Sequence, residues 1–111
     1  MESREKIKLK TIEMFLQNIG TFTHKPSYKL EQYITPPRLA AEILFTINQE
    51  YEGFENNIVC DLGCGTGMLM IGALRIGAEF VTGFDIDERC LEAALGNIEE
   101  YGVEECTDLV W

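Results

Sequence analysis

Apolar residues recur at helical spacing in four stretches of the chain and in short, nearly unbroken runs in three others. Leu9, Ile12, Phe15, Leu16 and Ile19 fall at steps of three and four, which predicts an amphipathic helix over 6–19 that Gly20 would stop. A loop-like stretch with Gly20, Pro26, Ser27 and Pro36 follows. Pro37 suits the first turn of a second helix, whose face would carry Leu39, Ile43, Leu44, Ile47 and Tyr51.

After Gly53 the texture changes. Ile58-Val59-Cys60 reads as a strand ending in Asp61, and Leu62 to Gly67 as a glycine loop. Met68 to Ile76 reads as a helix closed by Gly77. Phe80 to Phe84 is the next strand, ending in Asp85. Ile86 to Tyr101 is an acidic helix with Leu91, Ala94, Leu95, Ile98 and Tyr101 on its apolar side, stopped by Gly102. Thr107 to Trp111 begins a third strand. Strands alternating with helices in this way predict the first half of a doubly wound α/β sheet, preceded by two helices. An apolar strand is an odd place for a domain to stop, so the chain reads as part of a longer enzyme whose second half of the sheet is absent. The expected division is 1–36, an N-terminal helix and contact loop, and 37–111, a partial Rossmann-like domain cut at its third strand.

Composition narrows the choices. At 111 residues and 46% apolar the chain has material for one small core. No apolar run approaches the roughly 18–20 residues of a membrane span, and Met1 to Lys10 does not read as a secretory signal. Cys60, Cys64, Cys90 and Cys106 form no C-x-x-C pair, which argues against a zinc ribbon or disulfide framework and for a reducing compartment. Residues 1–30 carry a charge of +3 and residues 31–111 one of −13. The acidic body would repel a phosphate backbone. Arg4, Lys6, Lys8, Lys10, Lys25 and Lys29 read either as a solvated face or as an arm that touches RNA.

The chemistry gathers at Asp61-Leu62-Gly63-Cys64-Gly65-Thr66-Gly67. Glycines let a backbone turn sharply and approach a ligand with no Cβ in the way. Asp85 lies eighteen residues past Gly67 at the end of the next strand, where a carboxylate can accept both ribose hydroxyls of an adenosine. The dinucleotide pattern G-x-G-x-x-G would need glycine at Met68, and Asp61 would repel a pyrophosphate. A cationic cofactor such as S-adenosylmethionine suits Asp61 better. An empty turn and a nicotinamide dinucleotide remain as alternatives. Upstream, Gln32 and Thr35 stand three apart before the second helix, where helix capping is the plainer reading.

L-E-Q-Y-x-T-P, then D-L-G-C-G-x-G about twenty-five residues on, then G-F-D-I-D, resembles the methyltransferase-like protein 5 family from about Lys8 to Tyr101. The resemblance implies a class I S-adenosylmethionine-dependent methyltransferase that makes N6-methyladenosine in small-subunit (18S-type) ribosomal RNA. It implies cofactor contacts at Gln32, Thr35, Gly63, Thr66, Met68 and Asp85, a small zinc-binding activator subunit as partner, and a place in nucleus and cytoplasm. Thr66 stands where members often have Cys, and Ile34 where they often have Pro. The family's Asn-Pro-Pro-Phe motif, which holds the target adenine, has no counterpart here, and Asn97, inside a helix, does not replace it. Trp111 falls one residue short of the family's adenine-side acid, a position that Asp108 does not fill. No catalytic residue and no metal ligand is therefore expected within the chain. It would keep the cofactor half only and be inactive alone. A non-catalytic cofactor- or partner-binding fragment and a piece of a nicotinamide oxidoreductase are the other classes. His24 is the sole histidine, and Cys64 lacks a nearby base, so it reads as a small loop residue rather than a nucleophile.

Overall fold

The computed structural model describes residues 8–21, 35–51 and 53–111. Within them, α1 (Leu9–Leu16) and α2 (Pro37–Glu50) precede β1 (Ile58–Leu62), α3 (Met68–Ile76), β2 (Phe80–Phe84) and α4 (Glu88–Tyr101). A short 3₁₀ turn (Glu104–Cys106) then leads into β3 (Thr107–Val110). The three strands form one parallel sheet in the order β1-β2-β3, with Ile58 opposite Phe80 and Val81 opposite Thr107. This is the α/β half-sheet expected from the alternating pattern.

Period-two alternation decides what each face meets. Val59, Val81, Gly83 and Leu109 look toward α3 and α4, and Val81 is fully buried. Gly83 is dictated by packing: a Cβ there would strike the sulfur of Met70 and come within 3.0 Å of the Cys64 Cβ. The opposite face is bare. Ile58 is 73% and Leu62 80% exposed, because no helix among the described residues crosses them.

The core lies on the covered side. Ile12 and Leu16 of α1, Ala40, Ala41 and Leu44 of α2, and Met70, Ile71 and Ala73 of α3 are buried together with Ile98 of α4. Gly72 lets the first two helices settle on α3, since its Cβ would strike Leu44 and approach Leu16 Cδ2 to 3.2 Å. Phe15 meets Tyr101 edge to face at 5.4 Å, which ties α1 to α4.

Three boundaries and two helix faces differ from expectation. α1 ends at Leu16 rather than Ile19, because Asn18 and Ile19 donate to Phe15 and Leu16 three residues back and tighten the turn. β1 runs on through Leu62, since all five of its residues pair with β2. α4 begins at Glu88 rather than Ile86: the Asp87 carboxylate accepts the Arg89 amide at 2.9 Å and starts the helix there. The buried face of α2 is Ala40, Ala41, Leu44 and Asn48, with Leu39, Ile43 and Tyr51 left outside. Small alanines allow the close helix approach that bulkier residues would prevent. On α4, Leu95 is likewise exposed.

Candidate functional site

The loop between β1 and α3 is built from backbone conformations that side chains rarely adopt. Gly63, Gly65 and Gly67 have φ of 78°, 55° and 83°. The start of the loop is pinned to β2. The amides of Gly63 and Cys64 both donate to the Phe84 carbonyl, at 2.7 and 2.9 Å. The Gly67 amide donates to the Cys64 carbonyl at 2.9 Å and closes the turn. A Cβ on Gly63 would meet nothing within 4 Å, so this side of the loop is open, whereas one on Gly67 would lie 3.4 Å from the Cβ of Ala94 on α4.

Asp85 organises the same loop from the end of β2. One carboxylate oxygen accepts the Gly65 amide at 2.9 Å and the other the Asp87 amide at 3.0 Å. A carboxylate oxygen accepts more than one hydrogen bond, so both retain capacity for hydroxyl donors. Asp61, at the end of β1, is different. Its Oδ2 is buried and has no hydrogen-bond partner among the described residues. Burial, and then the charge of Asp85, push its carboxyl above the ordinary value. A half-buried acid without a donor, beside an open backbone, is a place for a cation.

Cys64 is buried, and that burial, followed by the charges of Asp61 and Asp85, pushes its thiol up to about 12. The thiol stays protonated, as a small loop residue rather than a nucleophile. Met68 opens α3 beside the loop and is buried, only 7% exposed. Thr66 is half-buried in the loop. Thr35 stands half-buried before α2 and does not cap it: the N-cap is Pro36, with no side-chain bond. Gln32 lies outside the described residues. The structure thus gathers Asp61, Gly63, Thr66, Met68 and Asp85 around one loop.

One residue of this region had no role in the sequence reading. Asn97, 6% exposed on α4, bonds both to the loop and to Gly20. The available signal was its position: it stands three residues from Ala94 and beside Ile98, a polar group on a buried helical stripe.

The family model for ribosomal protein L11 methyltransferase (PrmA) matches residues 40–110. The rRNA N6-adenosine-methyltransferase METTL5 of Danio rerio is 44% identical over 95 residues, which are 86% of this chain and 45% of that protein. A crystal structure of a candidate RNA methyltransferase from Pyrococcus horikoshii superimposes with a TM-score of 0.84 at 30% identity, covering 94% of this chain and 49% of that one. The magnesium protoporphyrin IX methyltransferase of Synechocystis, solved with bound S-adenosylhomocysteine, matches 63% of this chain and 32% of its own at 25% identity and a TM-score of 0.55. The chain therefore spans about half the length of the relatives it matches along most of its own.

Proposed function

Because the chain belongs to the methyltransferase family of the PrmA model and matches an rRNA N6-adenosine methyltransferase over most of its length, we propose that it forms the cofactor-binding half of such an enzyme. The resemblance first seen in the three motifs stands on these matches, whereas a nicotinamide oxidoreductase finds no support in them. The proposed substrate is an adenine of small-subunit ribosomal RNA, and the proposed cofactor is S-adenosylmethionine.

The observation that carries the reading is the orphaned carboxylate oxygen of Asp61 beside the open glycine loop. A dinucleotide would bring a pyrophosphate to this acid; S-adenosylmethionine brings an ammonium and a sulfonium. That cofactor supplies a methyl group activated on the sulfonium. Asp61 would hold the ammonium, Gly63 would let the amino-acid portion lie against the backbone, and Asp85 would accept from the ribose hydroxyls. Thr66 and Met68 would contribute through the loop and the first turn of α3, and Gln32 and Thr35 from the upstream motif. The division of the chain at residue 36 belongs to the same proposal. Residues of the chain would bind and orient, since methyl transfer held in line rests mostly on positioning.

A zinc-binding activator subunit as partner and a place in nucleus and cytoplasm belong to the same proposal. No helix among the described residues is long and apolar enough to cross a membrane. The sequence holds no Asn-Pro-Pro string to grip the adenine amino group, so we infer that these 111 residues alone turn over no RNA. Calorimetry tests the cofactor: S-adenosylhomocysteine should bind the chain, and NAD should bind far more weakly. Equal binding of NAD would overturn the reading. Tritium transfer into a ribosomal RNA fragment, run with and without the activator subunit, tests the second point, and turnover would show base-holding residues within this sequence.

A further inference from the structure

We propose that Asn97 is a positioning residue that sets the glycine loop for its cofactor. The proposal rests on the cofactor reading above and adds a residue remote from any ligand contact.

The side-chain amide of Asn97 is fully engaged. Its Nδ2 donates to the carbonyls of Thr66, at 2.9 Å, and Gly20, at 3.0 Å, while Oδ1 accepts the Gly20 amide at 3.1 Å. Gly20 is fitted to this grip, because a Cβ there would come within 2.9 Å of Oδ1. The bond to Thr66 reaches the loop at a decisive point. In the peptide between Thr66 and Gly67, the carbonyl is held by Asn97 and the N–H by the Cys64 carbonyl at 2.9 Å. One residue earlier, the Gly65 amide is held by Asp85. Two alternate peptide planes of the loop, Cys64–Gly65 and Thr66–Gly67, are therefore held by separate elements, the end of β2 and α4.

The Thr66–Gly67 peptide is the one that leads into α3. Glycine at 67 imposes little torsional resistance of its own, so these two bonds do much to hold the plane in its orientation. Without Asn97 the Thr66 carbonyl loses its donor, and rotation of the plane toward another also turns the Gly67 amide and the start of α3. A backbone that must approach a ligand closely does not tolerate such a turn. Asn97 thus stores the loop in its binding shape, and its amide supplies what neither a smaller side chain nor an acid can: two donors and an acceptor in one plane.

The test compares the full chain with Asn97→Ala, Asn97→Asp and Ile98→Ala. The last removes core packing from the adjacent position without touching the loop. Affinity for S-adenosylhomocysteine is measured by calorimetry below the melting transition, and the Gly65, Thr66 and Gly67 amides are followed by NMR. Asn97→Ala should weaken binding by about tenfold or more, the scale of one lost oriented hydrogen bond. Asn97→Asp should weaken it further, since its second oxygen faces the Thr66 and Gly20 carbonyls. Both should shift the Thr66 and Gly67 amides before ligand is added. Ile98→Ala should lower the melting temperature while leaving affinity and those shifts in place. If Asn97→Ala does not fold, Asn97→Ser carries the same comparison. Wild-type affinity in a folded Asn97 variant would overturn the positioning role alone. Failure of the unaltered chain to bind S-adenosylhomocysteine would overturn the cofactor reading and this inference with it.

Discussion

Asp61 stands next to last in β1 as a half-buried acid, and Asp85 follows the end of β2 close enough for its charge to resist the ionisation of Asp61. Parallel strands bring their carboxyl ends to one edge, so two acids that are far apart in sequence share one small volume. They do different work. Asp85 spends both oxygens on backbone amides and shapes the loop, whereas Asp61 keeps an oxygen with no donor among the described residues.

The unpartnered acid makes binding and stability respond oppositely to pH. Burial and the Asp85 charge hold the folded-state pKa of Asp61 above its unfolded value. Its contribution to stability is therefore full below the unfolded pKa and is lost as pH rises through the raised one. Asp61→Asn should stabilise the ligand-free chain at neutral pH, by on the order of 1 kcal/mol, and should flatten this loss. The same variant should weaken S-adenosylmethionine binding, which in the wild type falls as pH drops and Asp61 takes up its proton. Melting curves and calorimetry at acidic and neutral pH check both signs.

Asp85→Ala should weaken S-adenosylhomocysteine binding by roughly 1.5–3 kcal/mol, the range for a hydrogen bond to a charged group. It also frees the Gly65 amide, so loop amide signals should broaden or move in the absence of ligand. Titration calorimetry and amide spectra of the two proteins decide the matter.

Gly83→Ala should cost about 1–3 kcal/mol, the scale of overpacking a closed core. The added methyl meets Met70, which is fully buried and has no room to retreat, and Cys64 at the foot of the loop. Thermal melting of the variant gives the value directly.

The bare sheet face should make the chain self-associate, since contiguous apolar surface and an open strand edge both promote association. Replacing Ile58 and Leu62 with lysine, where both side chains already face solvent, should shift the sedimentation profile toward monomer and leave the melting temperature nearly unchanged.

The alternation of elements was legible because each is bounded by a residue with a strong local preference. Gly77 and Gly102 end α3 and α4 where expected, and Phe80–Phe84 is the strand that its largely apolar run indicates. The loop and Asp85 were legible for the same reason, as glycines and an acid at strand ends. The buried face of α2 was not. Hydrophobic weight points to Leu39, Ile43 and Tyr51, but close packing on α1 and α3 rewards Ala40 and Ala41. The role of Asn97 was hidden because its partners are backbone groups of Gly20 and Thr66, which leave no mark in side-chain patterning. The difference between Asp61 and Asp85 was hidden too, since hydrogen-bond capacity left over at a site depends on the fold around it.

The strand order also bears on how the chain assembles during synthesis. Each strand of β1-β2-β3 pairs with the one made just before it, so every addition to the sheet finds its neighbour already emerged. The Gly20–Asn97 contact breaks this rule, joining residues 77 positions apart. It can close only after α4 has left the ribosome and docked, and the loss of chain entropy on closing so long a span makes it a late event. The glycine loop therefore reaches its final shape after the β1–β2 pair that carries it. A nascent chain that has folded β1, α3 and β2 has the strands of a cofactor site before it has the site.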